Sequence, residues 1–310
     1  MIKLSTLFRD KFVPPDKNIL KWFPGHMGKG MKQIEQKLKN VDCLVEVHDA
    51  RIPISGRNIK FNYFSKVKPH ILVYNKKDLA DLNKIGELQK LKESANQVIF
   101  TNCKDQSCRG VKRVIPSSVE LISKSDRYNR SEKNEYLIMI IGVPNVGKSS
   151  LINILRNKYL NKANASPVGA IAGITKSIMT KIKVCQKPLV YLLDTPGILN
   201  PSIRDWEEGL KLASVSTMQD HLVGPQIIAD FLLFWLNKNN NFSYVNYLGL
   251  REPSDVITEV LTLTAVNLNK TVKIRSVEQG YIKVQPDLDA AAYHFISAFR
   301  RGEFGKVMLD

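Results

Sequence analysis

Four features are scarce in this 310-residue chain: cysteine, long apolar runs, acid in the first two thirds, and a glutamine after its one Asp-Thr-Pro-Gly turn. Cys43, Cys103, Cys108 and Cys185 form no CxxC pair and have no histidine at zinc spacing. That argues against a disulfide framework and for a reduced intracellular compartment. No apolar stretch approaches the ~18 residues of a membrane span. The longest, Ile227 to Leu236, carries Asp230 and reads as a buried helix, so no transmembrane segment is expected. Residues 1–199 hold 35 basic and 16 acidic side chains (+19), whereas 200–310 hold 11 and 13 (−2), which together make the net +17. A basic region of that strength points to a polyanionic partner such as RNA, with simple solubility as the plain alternative.

The length suits two domains. Short, mainly apolar strands are predicted at Cys43–Val47, Ile71–Tyr74, Val98–Phe100, Tyr136–Ile141, Thr180–Val184 and Leu189–Leu193. They alternate with helical stretches, the pattern of a mainly parallel sheet covered on both faces, an α/β fold. From about Asn200 the pattern turns helical, most clearly over Ile227–Leu236 and Ala290–Arg301. The expected layout is an N-terminal arm over 1–21, an α/β domain over 22–199 and a smaller α-helical domain over 200–310. In the arm, Ile2, Leu4, Leu7 and Phe8 alternate with Lys3, Arg9 and Lys11 as in an organelle-import helix, although Asp10 runs against that.

The chemistry sits at strand ends. Gly142-Val143-Pro144-Asn145-Val146-Gly147-Lys148-Ser149, after YLIMII and before a helix opening at Ser150, matches the glycine-rich loop whose backbone N–H groups cradle phosphates. Pro144, Asn145, Val146, Gly147, Lys148, Ser149 and Ser150 are the expected phosphate contacts, with Ser149 also a Mg²⁺ ligand. Asn75-Lys76-Lys77-Asp78 selects guanine: the Asp78 carboxylate accepts from N1–H and N2–H₂, a donor pair adenine lacks. Asn75 would tie the base to neighbouring loops and the Lys76 stem would lie along the ring. Asn102-Cys103-Lys104 stands where the base is supported, with the Cys103 N–H meeting guanine O6. Asp194-Thr195-Pro196-Gly197 would hold Mg²⁺ through Asp194 and sense the γ-phosphate through the Gly197 N–H, with Thr175 as the second Mg²⁺ hydroxyl. Ile198 follows Gly197, where many GTPases carry a water-positioning glutamine. Slow turnover with partner activation is therefore expected. The Asn145 amide oxygen is a candidate K⁺ ligand beside the phosphates.

The guanine motif precedes the phosphate loop, the reverse of the usual order. With Asp49-Ala50-Arg51, Trp22-Phe23-Pro24-Gly25-His26-Met27 and Trp206-Glu207-Glu208-Gly209-Leu210-Lys211-Leu212-Ala213, this order resembles the circularly permuted ribosome-assembly GTPases of the RbgA/YlqF type. The resemblance covers roughly 20–215 well and the remainder more weakly. It implies a P-loop GTPase domain and GTP hydrolysis, stimulated by the ribosome, in late maturation of the large ribosomal subunit. It further implies Mg²⁺ and K⁺ dependence, an rRNA-touching helical domain and a role for His26 in hydrolysis. Its mitochondrial branch implies a matrix location with peripheral inner-membrane association. Two departures are Ala172, where proline is frequent, and the Asn102-Cys103-Lys104 variant. For rRNA contact by the C-terminal part, Lys270, Lys273, Arg275 and Lys283, or Arg300, Arg301 and Lys306, would have to cluster. The competing reading is a GTP-dependent scaffold or signalling switch that does not bind RNA.

Overall fold

A strand that is apolar on both sides, such as Tyr136–Ile141, folds only where both faces of a sheet are covered. A computed structural model describes residues 8–14, 25–83, 95–127, 130–162, 180–199, 205–275 and 282–310. Its main sheet has six strands: β1 (Cys43–Asp49), β2 (His70–Asn75), β3 (Gln97–Phe100), β4 (Tyr136–Ile141), β5 (Lys181–Cys185) and β6 (Val190–Asp194). They lie in the order β3-β2-β1-β4-β6-β5, all neighbours parallel except the antiparallel edge pair β5–β6. Ile71, Val45, Ile140 and Asp194 fall level across the sheet, as do Asp49 and Asn75 near its carboxyl edge. The helices that complete this layer include α1 (Gly25–Leu38), α2 (Phe61–Val67), α3 (Arg109–Ser123) and α4 (Lys148–Leu160). The central strands are almost entirely buried. Each Ile, Leu or Val removed from water there contributes about 1.5–3 kcal/mol.

The chain divides into two compact units, and their limits differ from the predicted 22–199 and 200–310. One comprises 21–218 together with 307–310; the other comprises 1–20 with 219–306. Helix α5 (Trp206–Ser214) therefore belongs to the α/β unit, because Leu210, Leu212 and Ala213 are buried there. Residues 307–310 belong there too. Val307 bridges Ala80, its N–H donates to Leu79 O at 3.0 Å, and the Leu309 N–H donates to Arg51 O at 2.9 Å. The Asp310 carboxylate accepts from the Ile54 and Ser55 N–H groups at 2.7 and 3.0 Å. The 219–306 part of the second unit is thus an insertion in the chain of the first, and residues 1–20 precede that chain.

The second unit is built on α7 (Pro225–Lys238), with α9 (Ile257–Asn267) and α10 (Leu288–Arg301) packed against it. The short helices α6 (Asp220–Val223) and α8 (Ser243–Leu248) complete its helical part. It is not wholly helical. Thr271–Arg275 (β7) pairs antiparallel with Ile282–Pro286 (β8), a hairpin whose period-two alternation of Val272, Ile274, Ile282 and Val284 the helical reading overlooked. Of the two basic sets named for rRNA contact, the one at Arg300 and Arg301 is engaged within this unit. Asp220 engages Arg300 at 2.6 and 2.8 Å, and Arg301 turns to Glu303 and Tyr247. Residues 8–14 are not helical but are fastened within this unit. Arg9 binds both Asp230 and Asp255, and the Phe12 ring meets Phe231 edge-on at 5.6 Å. Among the described residues no helix is long and apolar enough to cross a membrane.

Candidate nucleotide site

β4 delivers its chain into Gly142 and the phosphate loop, and α4 starts at Lys148. Gly147 has φ +100°, and a Cβ there would stand 2.3 Å from Asn75 Nδ2, so no other residue fits the turn. The Lys148 ammonium, buried at the helix start, donates to Gly142 O at 3.2 Å and Val143 O at 2.9 Å. Burial lowers its pKa to about 8, against the opposing pull of Asp194. Phosphate oxygens entering the loop would replace those carbonyls and restore the charge. Ser150 follows in the first turn of α4.

Ser149 Oγ lies 3.3 Å from Asp194 Oδ2, so a hydroxyl and a buried carboxylate stand side by side at the phosphate end of the loop. Hard oxygen donors of this kind suit Mg²⁺. Bound there, the metal would neutralise phosphate charge. The predicted third ligand, Thr175, lies outside the described residues. So does the side chain of His26, whose backbone is in the first turn of α1.

The Asp-Thr-Pro-Gly segment is held from several sides. Thr195 Oγ1 donates to Ile140 O at 2.6 Å. A Cβ on Gly197 would stand 2.6 Å from Pro144 Cα, so the segment touches the phosphate loop backbone to backbone. The Ile198 N–H donates to Gly142 O at 3.2 Å, and the buried Asn58 amide donates to the Ile198 and Leu199 carbonyls at 3.3 and 3.2 Å. Ile198 itself is fully buried.

The residues predicted to select the base form a brace. Asn75 Nδ2 donates to Val146 O at 2.8 Å, while its Oδ1 accepts from Thr101 Oγ1 and the Cys103 N–H, both at 3.1 Å. One amide therefore ties the phosphate loop to the 101–104 loop. This revises the expectation for Cys103: its N–H already has an acceptor, and meeting guanine O6 requires sharing or exchanging that bond. The Lys104 N–H is likewise turned to Asn102 Oδ1 at 2.9 Å. Asp78 Oδ1 is buried without a hydrogen-bond partner among the described residues. A buried acceptor in that condition is costly unless a ligand satisfies it, which suits guanine N1–H.

Lys76 has φ +59° and reaches back from β2. Its ammonium donates to Asn145 O at 2.8 Å and pairs with Asp49 Oδ2 at 2.9 Å. Asp49, fully buried at the end of β1, also binds Arg51 through Nε at 2.9 Å and Nη2 at 2.8 Å. Burial alone would raise its pKa, but Arg51 and Lys76 outweigh that and hold it well below the usual carboxylate range. The Asp49–Lys76–Asn145 chain links the base loop to the phosphate loop. Sequence reading had given Asp49 no part in the site; its register opposite Asn75 was the available signal. Asn145 is further fixed by its Nδ2, which donates to Ser216 O at 2.7 Å.

Comparison with known proteins accords with this geometry. A family model described as 50S ribosome-binding GTPase matches residues 137–265. Mitochondrial GTPase 1 of Aedes aegypti is 57% identical over 312 residues, covering 99% of this chain and 98% of its own. The chain belongs to the mitochondrial GTPase 1 family. Relatives in this family named mitochondrial ribosome-associated GTPase 1 include those of Xenopus tropicalis, 49% identical with 100% of both chains covered, and Bos taurus, 50% identical with 98% and 92% covered. Among solved structures, a GNP-bound YlqF from T. maritima shares the fold at TM-score 0.58 and 22% identity, covering 91% of this chain and 97% of its own. A GDP-bound YlqF aligns at TM-score 0.57. The P-loop α/β fold and the enzyme class of the family follow: the protein binds guanine nucleotide and is a GTPase.

Proposed function

We propose that this GTPase acts in late maturation of the large ribosomal subunit in the mitochondrial matrix, binding rRNA in a way that depends on its nucleotide state. The observation that carries the reading is the full-length similarity to proteins named mitochondrial ribosome-associated GTPase 1, joined to a +19 charge over residues 1–199. Hydrolysis is slow alone and accelerated by the ribosomal particle, since the buried Ile198 offers no polar group for water. His26 supplies the polar group that acts on water once the particle is bound. Ser149, Thr175 and Asp194 serve Mg²⁺, and Asn145, oriented by Ser216, serves K⁺. Inner-membrane association, where it occurs, is peripheral.

Filter binding to large-subunit rRNA across a salt series tests the reading. Salt-sensitive binding in the GTP state supports it. No such binding overturns it in favour of a GTP-dependent scaffold that does not bind RNA.

A further inference from the structure

Helix α1 shows two contrasting sides. Met31, Ile34 and Leu38 are buried, while Lys29, Lys32, Lys37 and Lys39 are exposed. Lys29 and Lys32 lie three residues apart on one helical face and Lys39 stands in the turn just past Leu38, with exposed Glu35 and Gln36 between, a run of about 15 Å at ~1.5 Å per residue. Among the described residues none of these lysines has an ion-pair partner. Elsewhere in the same unit Arg51, Lys76, Arg127, Arg130 and Lys211 are all paired with carboxylates. Free charge alone does not choose α1, because α3 also exposes Arg109, Lys112 and Arg113.

What distinguishes α1 is where its inner side rests. A Cβ on Gly30 would stand 3.1 Å from Pro196 Cγ and 3.3 Å from Ile198 Cδ1. The helix backbone therefore lies directly on the residues flanking Gly197, and Gly197 lies directly on Pro144 of the phosphate loop. An uninterrupted packed path runs from the lysine face through Gly30 to the γ-phosphate sensor.

We propose that the outer face of α1 and the turn after it, through Lys29, Lys32 and Lys39, is a docking surface for RNA backbone phosphates, and that its occupancy is read by the Pro196–Ile198 segment across Gly30. This rests on the RNA-binding reading above and locates it. The favoured partner is RNA rather than a bilayer, because the apolar side of α1 is already buried in its own unit and only the charged side is presented. When the segment shifts with the γ-phosphate, α1 shifts with it. RNA affinity then depends on the nucleotide, and by linkage RNA alters nucleotide affinity.

The test compares full-length wild type, a Lys29→Gln/Lys32→Gln/Lys39→Gln variant and Gly30→Ala. Each is titrated with large-subunit rRNA, with GDP or a non-hydrolysable GTP analogue, at several salt concentrations. Three lost phosphate contacts should lower the salt slope by about 2 to 3 and weaken binding about a hundredfold at 0.1 M salt. GDP affinity should stay unchanged, since exposed substitutions of this kind rarely disturb the fold. Gly30→Ala should keep the salt slope but shrink the difference in RNA affinity between the two nucleotide states. If wild type binds RNA and the triple variant binds equally well, the surface is wrong while RNA binding stands. If Gly30→Ala leaves the nucleotide dependence intact, the coupling is wrong. A wild type that binds anionic vesicles and not RNA overturns both this surface and the reading beneath it.

Discussion

Replacing Asp49 with Asn removes one negative charge from a fully buried site while keeping its shape. In the native protein that carboxylate is shared by the Arg51 guanidinium at 2.8 and 2.9 Å and the Lys76 ammonium at 2.9 Å. Its loss leaves two cations without their common counter-ion, and breaking a buried pair from one side costs about 3–5 kcal/mol. Lys76 keeps Asn145 O as an acceptor, so the lower end, about 3 kcal/mol, is expected. With a urea slope of about 2 kcal/mol/M, that moves the unfolding midpoint by roughly 1.5 M. Because the chain has two units, a single transition is not assumed. A Trp235→Phe background leaves tryptophan only at positions 22 and 206, within the 21–218 segment, so fluorescence reports the α/β unit. The same variant loosens Lys76 from the phosphate loop. Loss of one charge-assisted bond is worth about 1.5 kcal/mol and should raise the GDP Kd about tenfold. Guanine preference should persist, because Asp78 is untouched. A midpoint shift under about 0.5 M with unchanged GDP affinity would refute the clamp.

Three other outcomes follow from the site. Asp78→Asn removes the charge and replaces one of the two carboxylate acceptors with an NH₂ donor, so the paired acceptance from N1–H and N2–H₂ is lost and the GTP-over-ATP preference in competition should fall at least tenfold, about 1.4 kcal/mol; a retained preference contradicts the assignment. Gly197→Ala would drive a Cβ to 2.6 Å from Pro144 Cα, so GTP hydrolysis should drop at least tenfold, about 1.4 kcal/mol in barrier, with GDP still bound. Wild-type turnover in that variant would show that the segment need not meet the loop. Lys148, lowered to about 8 by burial, loses its proton in the free protein before it does beneath bound phosphates. GTP affinity should therefore weaken as pH rises through that value, by about fourfold between pH 7 and 8.5, and a flat profile would count against the buried ammonium.

Strands and motif loops were legible because their signals are local. YLIMII followed by Gly142–Ser149 announces its structure within a few residues, and Asp78 and Lys148 carry their chemistry in their types. The framework around them joins distant positions. Asp49 meets Lys76, Asn58 meets Ile198 and Gly30 meets Pro196, pairings that no local period encodes. The return of Val307–Asp310 beside Leu79–Asp81 and Arg51 was equally invisible, and it places those last residues in the α/β unit. The β7–β8 hairpin was readable, since Val272 and Ile274 alternate with polar residues, but long neighbouring helices masked a five-residue pattern. Cys103 shows the remaining limit. Its place in a base-support tripeptide is apparent from order, but the bond to Asn75 Oδ1 depends on three loops converging.

Residues 219–306 run between Met218 and Val307, so this part of the chain leaves the α/β unit and returns to it. One connection follows the γ-phosphate segment, and the other ends beside the guanine motif and Arg51. Both halves of the nucleotide site are therefore attached, through the chain, to the same helical unit.

GTP turnover with and without mitochondrial large ribosomal subunits, measured in K⁺ and in Na⁺, tests the central claim most directly. The account predicts slow turnover alone and a rise of at least a hundredfold, about 2.7 kcal/mol in barrier, with the particle, larger in K⁺ than in Na⁺. Turnover that ignores the particle in both salts would contradict it.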